Sequence, residues 1–233
     1  MQALAIIPAR GGSKRLPKKN LQLLGGQPLV CHSLNAVEQS NCFSKALLSS
    51  DDPDILSLAD QYQIVEAAPR PKELSGDFVT ALTLVNTIVD QPGISESYDI
   101  VALLLPTAPF RTAEHIQDAF KLLNNDIDGV VSLTSYEFPP QLSVTLKDEL
   151  ISPVFEPCPL LTGNTRSQDQ DTIYRPNGAF YIQWMEKFLV NQNFWKGKVK
   201  GYVMNRTDSI DIDNQIDLEY AEFMLQKKLA GEI

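Results

Sequence analysis

The sequence predicts an α/β fold, a mostly parallel sheet with helices on both faces, and three observations carry that expectation. Short apolar runs of strand length alternate with segments of helical period from the N-terminus to about residue 135. With 233 residues and 43% hydrophobic composition, the chain is large enough to bury a sizeable core. No internal repeat, low-complexity stretch or Gly/Ser-rich linker divides it, so residues 1–233 are expected to form a single domain.

The elements follow in order. LAIIP reads as a short buried strand, followed by the loop ARGGSKRLPKKN and a turn at Gly25-Gly26. Pro28 suits a first helical residue, and Leu29, Leu34 and Val37 supply the buried face of a helix to about Gln39. KALLS is the next strand, a helix is expected from Asp52 or Pro53 to Tyr62, and QIVEA is another strand. Helices over about Asp77 to Val89 and Ala113 to Leu123 then alternate with strands Ile100 to Leu105 and Gly129 to Leu133. Between Tyr136 and about Gln170 five prolines interrupt short apolar pieces, which predicts irregular structure and hairpin-like strands. Regular signals return with AFYIQ, a short segment Met185 to Val190, GYVMN, SIDID and an amphipathic helix from about Asn214 to Leu229.

In such a sheet a ligand site lies at the carboxyl ends of the strands, and the loop Ala9 to Asn20 lies at one. The net charge of −9 argues against nucleic acid as a partner. Yet no Asp or Glu precedes Glu38, and Arg10, Lys14, Arg15, Lys18 and Lys19 concentrate positive charge in one loop, which suits a small polyanion. No apolar run reaches the ~20 residues of a membrane helix and the N-terminus lacks signal-peptide character, so a cytoplasmic protein is expected. Cys31, Cys42 and Cys158 show no metal or redox spacing and read as core residues; His32 and His115 read as structural.

Three constellations carry chemistry. In the basic loop, Gly11 and Gly12 permit close backbone approach to an anion, while the surrounding cations neutralise phosphate; a solvated surface loop would look the same. Neither GxxxxGK[ST] nor GxGxxG is present. In Asp208-Ser209-Ile210-Asp211-Ile212-Asp213, an extended backbone places Asp211 and Asp213 on one face, suited to Mg²⁺, although a helix cap explains the stretch equally well. Arg175-Pro176-Asn177-Gly178 is a turn feeding a strand, and Arg166 and Arg175 are candidates to meet a substrate carboxylate. Arg70-Pro71-Lys72-Glu73-Leu74 and Pro106-Thr107-Ala108-Pro109-Phe110-Arg111 follow strands and lie at the same edge.

The order of IIPARGGSKRLPKKN, SSDD, RPKELSGD, PTAPFR, YRPNGAFYI and SIDID resembles the acylneuraminate cytidylyltransferase family, from about Ile6 to Leu218. The resemblance implies a Rossmann-like nucleotide-diphospho-sugar transferase fold, Mg²⁺ dependence, and a homodimer in which an excursion, here residues 136–205, reaches the neighbouring active site. Phe194 and Trp195 are then candidates for that contact or for ordinary dimer packing. Arg10, Gly11, Gly12, Ser13, Lys19, Asn20, Arg70, Asp77 and Thr80 match the family's CTP-binding positions. Leu105, Arg166 and Tyr181 match positions at the sugar, and Asp211 and Asp213 match the metal ligands. Many sialic acid members carry Gln where this chain has Leu105, which favours a less hydroxylated sugar here. TRSQD is more similar to pseudaminic acid enzymes, RPNGAFYI to sialic and legionaminic ones.

The implied reaction transfers CMP from CTP to the anomeric hydroxyl of an acidic nine-carbon sugar, with Arg10, Lys19 and Asp211 in catalytic roles. A cytidylyltransferase for another keto-acid sugar, such as 3-deoxy-octulosonate, and a non-catalytic nucleotide-sugar binding module are the alternatives.

Overall fold

The computed structural model describes residues 1–76 and 79–232. In chain order the elements are β1 (Ala3–Pro8), the small hairpin β2 (Leu23–Leu24) and β3 (Gln27–Pro28), α1 (Leu29–Ser40), β4 (Lys45–Ser50), α2 (Pro53–Leu56), β5 (Val65–Pro69), α3 (Ala81–Val89), α4 (Ile94–Ser97), β6 (Ile100–Leu103), α5 (Ala113–Leu122) and β7 (Gly129–Ser135). The outlying hairpin β8 (Val144–Lys147) and β9 (Leu150–Pro153) comes next, followed by α6 (Pro159–Thr162), β10 (Tyr174–Trp184), α7 (Met185–Asn191), β11 (Val199–Val203) and α8 (Gln215–Leu229). The main sheet has seven strands in the order β11-β7-β10-β6-β1-β4-β5. All its pairings are parallel except those of β10, which runs antiparallel to both β6 and β7.

The period of two along each strand builds both faces. Ala3, Ala5 and Ile7 of β1 pack with Ala46, Leu48, Ile100 and Ala102 under α1 and α5. Leu4 and Ile6 point the other way, with Leu47, Val101 and Leu103, and are covered by α3 and α7. A third cluster brings Leu16 of the basic loop together with Ile210, Ile212 and the inner face of α8 at Leu218, Ala221 and Met224. It clamps two segments almost two hundred residues apart in sequence onto one another.

Four boundaries differ from expectation. Pro28 is the extended residue before α1 rather than its first member, because the β2–β3 hairpin holds it. The expected helix to Tyr62 is a short α-helix, capped by the Asp52 side chain, that tightens into a 3₁₀ run over Ser57–Gln61. Residues 209–213 form no strand, yet Ile210 and Ile212 are buried while Asp211 is exposed and Asp213 half-buried, so the predicted alternation persists without a ladder. Within residues 136–205, expected as an excursion, β10 and β11 belong to the main sheet, and the outlying hairpin lies before Tyr174.

Candidate active site

The segments after β1, β4, β5 and β6 gather at one sheet edge, and each is tied down there. In the basic loop, Leu16 is buried in the third cluster and the buried Asn20 amide donates to the Arg10 carbonyl at 2.8 Å, closing the loop on itself. The two glycines have separate roles. Gly11 donates its N–H to Asp51 Oδ1 at 2.9 Å, and a Cβ there would sit 2.7 Å from Asp52 Cβ. Its N–H is therefore engaged by a carboxylate, and a side chain there would collide with the Asp51-Asp52 turn. Gly12 has nothing within 4 Å of its missing Cβ and lies open for close approach.

Opposite the loop, Asp213 accepts from Lys19 Nζ at 2.9 Å through one oxygen and from Arg15 Nη2 at 2.9 Å through the other. Partial burial pushes its pKa up, but Lys19 and then Arg15 outweigh that, and the carboxyl lies below its usual range. Asp211 behaves in the opposite way. Protein atoms crowd its carboxylate although it reaches the cavity, so desolvation raises its pKa, with Asp213 adding to the rise and a hydrogen bond from Thr107 opposing it. The Thr107 carbonyl also accepts from Ile212 N at 2.9 Å, so one residue holds the segment through backbone and side chain. Beyond it, Asn214 and Asp217 form a capping box for α8, and the Asp213 N–H donates to Asp217 Oδ2 at 2.9 Å. The helix-cap reading of this stretch is thus realised at Asn214 and Asp217, next to the two aspartates.

A cavity of about 500 Å³ joins these parts, with Arg10, Lys19 and Asn20 on one side and Asp211 and Asp213 on the other. Arg70, Thr80 and Leu105 complete its wall. Burial lowers the pKa of Arg70, whose guanidinium donates to the Ser49 carbonyl at 2.9 Å; Thr80 caps α3 by accepting from Thr83 N at 3.0 Å. Ser13 lies in an adjoining hollow of about 290 Å³ with Arg10, Lys14 and Lys19. Asp77 falls outside the described residues.

The residues expected at the sugar do not all converge. Leu105 lines the cavity, whereas Arg166 is exposed on the outlying segment and does not line it. Tyr181 is half-buried against Phe194 and Trp195, at ring distances of 6.0 and 5.8 Å, and the Asp211 charge adds to the desolvation that raises its pKa. Phe194 is itself 3% exposed and packs against Phe188 at a ring distance of 4.6 Å, which makes it a core residue of this chain; Trp195 remains half exposed.

Sequence reasoning missed the anchors. Thr107 and Arg15 hold the two aspartates, and Asp51 folds over the glycine turn. Arg111, 2% exposed, donates to the Leu105 carbonyl at 3.4 Å and to that of Ala179, stitching the turn after β6 to β10. Burial pushes its pKa down to about 9. The sequence signal was the place of Thr107 and Arg111 in a strand-end turn.

Cations facing paired carboxylates at the carboxyl edge of a mostly parallel sheet define a nucleotide-handling α/β transferase. The particular assignment follows from comparison: the chain belongs to the cytidylyltransferase family, whose model, described as Cytidylyltransferase, matches residues 4–229. It is 32% identical over 231 residues to the CMP-N,N'-diacetyllegionaminic acid synthase of Legionella pneumophila, covering 97% of each chain. It is likewise 32% identical over 226 residues to a pseudaminic acid cytidylyltransferase of Campylobacter jejuni, covering 96% of each. Among solved structures, a CMP:2-keto-3-deoxy-manno-octonic acid synthetase complexed with CTP superposes with a TM-score of 0.67 at 14% identity, covering 98% of this chain and 100% of the other. That likeness confirms the nucleotidyltransferase fold.

Proposed function

We propose that the protein transfers CMP from CTP to the anomeric hydroxyl of a nonulosonic acid, a nine-carbon α-keto acid sugar, releasing pyrophosphate. The observation that carries this is the joining of the basic loop to Asp211 and Asp213 around one cavity, with Lys19 and Asp213 2.9 Å apart. In the reaction the sugar hydroxyl oxygen bonds to the α-phosphorus, the bond from that phosphorus to the β-phosphate oxygen breaks, and pyrophosphate leaves. Arg10 and Lys19 stabilise the charge that develops, and Asp211, which lines the same cavity, takes the hydroxyl proton.

Asp213 spends both oxygens on Lys19 and Arg15. Incoming triphosphate attracts those cations and frees Asp213, so the pair becomes an all-oxygen donor set of the kind Mg²⁺ prefers. Asp211 and Asp213 would hold the ion, whose charge neutralises phosphate oxygens during transfer. Leu105 in the wall supports a less hydroxylated acceptor of the legionaminic or pseudaminic type, consistent with the named relatives.

The outlying hairpin supports a homodimer as part of this reading. Leu146, Leu150 and Ile151 are each about 70% exposed, and an isolated two-stranded hairpin is marginal in water, so a second copy is its natural cover. Among the described residues no helix is long and apolar enough to cross a membrane, and the proposed site of action is the cytoplasm, where CTP is made.

The test is pyrophosphate release with each nucleoside triphosphate and a panel of legionaminic, pseudaminic and N-acetylneuraminic acids and 3-deoxy-octulosonate. Release only with CTP and a nine-carbon acid supports the reading. Release with 3-deoxy-octulosonate alone, or CTP binding without release for any sugar, refutes it.

A further inference from the structure

Arg111 has more donors than its bracing contacts use. Its guanidinium is buried, and only Nη1 has partners, the carbonyls of Leu105 at 3.4 Å and of Ala179; Nε and Nη2 have none. Burial is the one cause of its lowered pKa, and among the described residues no carboxylate opposes it. A buried cation without a counter-charge and with donors left over destabilises a fold, so it calls for a role other than stability.

Both carbonyls lie where the ladders lapse, one past the end of β6 and one between Pro176 and Tyr181, where β10 changes register against β7. In that bulge Gly178 has φ 75°, its carbonyl accepts from Leu105 N at 3.3 Å, and a Cβ on it would lie 3.2 Å from Leu105 Cδ1. Glycine thus lets the cavity-wall residue seat against the bulge. The buried Asn177 accepts from Ala179 N at 3.2 Å and donates to Ser209 Oγ at 2.9 Å, two residues before Asp211. On the far side of Asp211, the Ile212 N–H donates to the carbonyl of Thr107, two residues after Leu105. The contacts form a closed ring, from Arg111 through the bulge to Ser209, along the Asp211 segment, and back through Thr107 and Leu105.

We propose that Arg111 and Asn177 are positioning residues, which close this ring and hold the Asp211 segment and the Leu105 wall at a fixed separation. The planar guanidinium suits that task because its donors are fixed relative to one another. The functional half of the assignment rests on the proposed CMP transfer; the ring itself does not.

Site-resolved amide hydrogen exchange of the full-length protein reads the ring without turnover, and steady-state kinetics with CTP and the nine-carbon acids read its effect. In Arg111→Met, exchange at the Leu105 and Ile212 N–H groups is expected to quicken about tenfold or more, while the Ala46 N–H, bonded to the Ile64 carbonyl, stays within about twofold. The melting temperature is expected to stay within about 4 °C, since relief of the buried charge offsets the lost hydrogen bonds. kcat is expected to fall about 10- to 100-fold with the CTP KM within about threefold, because the basic loop lies outside the ring. Arg111→Lys, with the charge kept on a shorter side chain, is expected to fall between wild type and Arg111→Met. Adding Asn177→Ala to Arg111→Met is expected to lower kcat little further than the worse of the two alone. Unchanged exchange at Leu105 and Ile212, equal quickening at Ala46, an unchanged kcat, or effects that multiply in the double variant would overturn the proposal. If Arg111→Met does not fold, Arg111→Lys carries the same comparison. If the wild type converts none of the acids, the transfer reading fails and the exchange rates alone decide the ring.

Discussion

Thr107→Val is the sharpest probe of how the site is tuned. Valine keeps the shape of threonine and leaves the backbone hydrogen bond from Ile212 N to the residue 107 carbonyl intact, so the Asp211 segment stays in place. What is lost is the hydroxyl that donates to Asp211. A hydrogen bond to a charged group contributes ~1.5–3 kcal/mol when shielded from water. Asp211 reaches the cavity, and solvent replaces part of the loss, leaving about 1 kcal/mol or roughly a fivefold gain in proton affinity. The sign is fixed: the bond favours the charged carboxylate, so its removal raises further a pKa that desolvation has already raised. The assay is a ¹³C-carboxyl titration of the metal-free protein, paired with the acid limb of kcat/KM at constant Mg²⁺. Both are expected to move to higher pH. A titration that does not move, or moves to lower pH, refutes the assigned roles of Thr107 and Asp211.

Other perturbations separate the parts of the account. Leu16→Ala removes a side chain that is 3% exposed between the loop and the Ile210–Ile212 segment; a loss of about 2–3 kcal/mol in urea unfolding is expected, with a higher KM for CTP. Asp213 has a depressed pKa, so its contribution to stability is complete above the ordinary carboxylate range and is lost as pH falls through its lower folded value. Asp213→Asn is therefore expected to flatten the acid side of the stability–pH curve, and melting scans across that range check it. Gly129→Ala places a Cβ 2.7 Å from the Ile182 carbonyl between paired strands, and a loss of about 1–3 kcal/mol in thermal unfolding is expected. Leu105→Gln is expected to shift kcat/KM toward N-acetylneuraminic acid over the less hydroxylated acids in direct competition.

The sheet was legible because its strands are apolar runs closed by loop residues, and because alternation of Ala3, Ala5 and Ile7 against Leu4 and Ile6 needs no knowledge of tertiary contacts. The antiparallel direction of β10 was not, since AFYIQ reads the same in either orientation and only its two neighbours decide it. The cations and aspartates were found from charge and spacing. Their pairing was not, because Lys19 and Asp213 are 194 residues apart and meet only through the cluster around Leu16. Gly11 shows the limit most clearly: its residue type announced a close approach, but the approaching group is Asp52.

In the proposed transfer the sugar hydroxyl attacks the α-phosphorus of CTP while Asp211 receives its proton. The direct measurement is mass spectrometry of products from an acceptor pre-equilibrated in H₂¹⁸O, so that its anomeric oxygen carries the label. One ¹⁸O in the bridge of the CMP-sugar and none in pyrophosphate, with product formation lost in Asp211→Asn, is the predicted result. Label in pyrophosphate, or full turnover by Asp211→Asn, contradicts it.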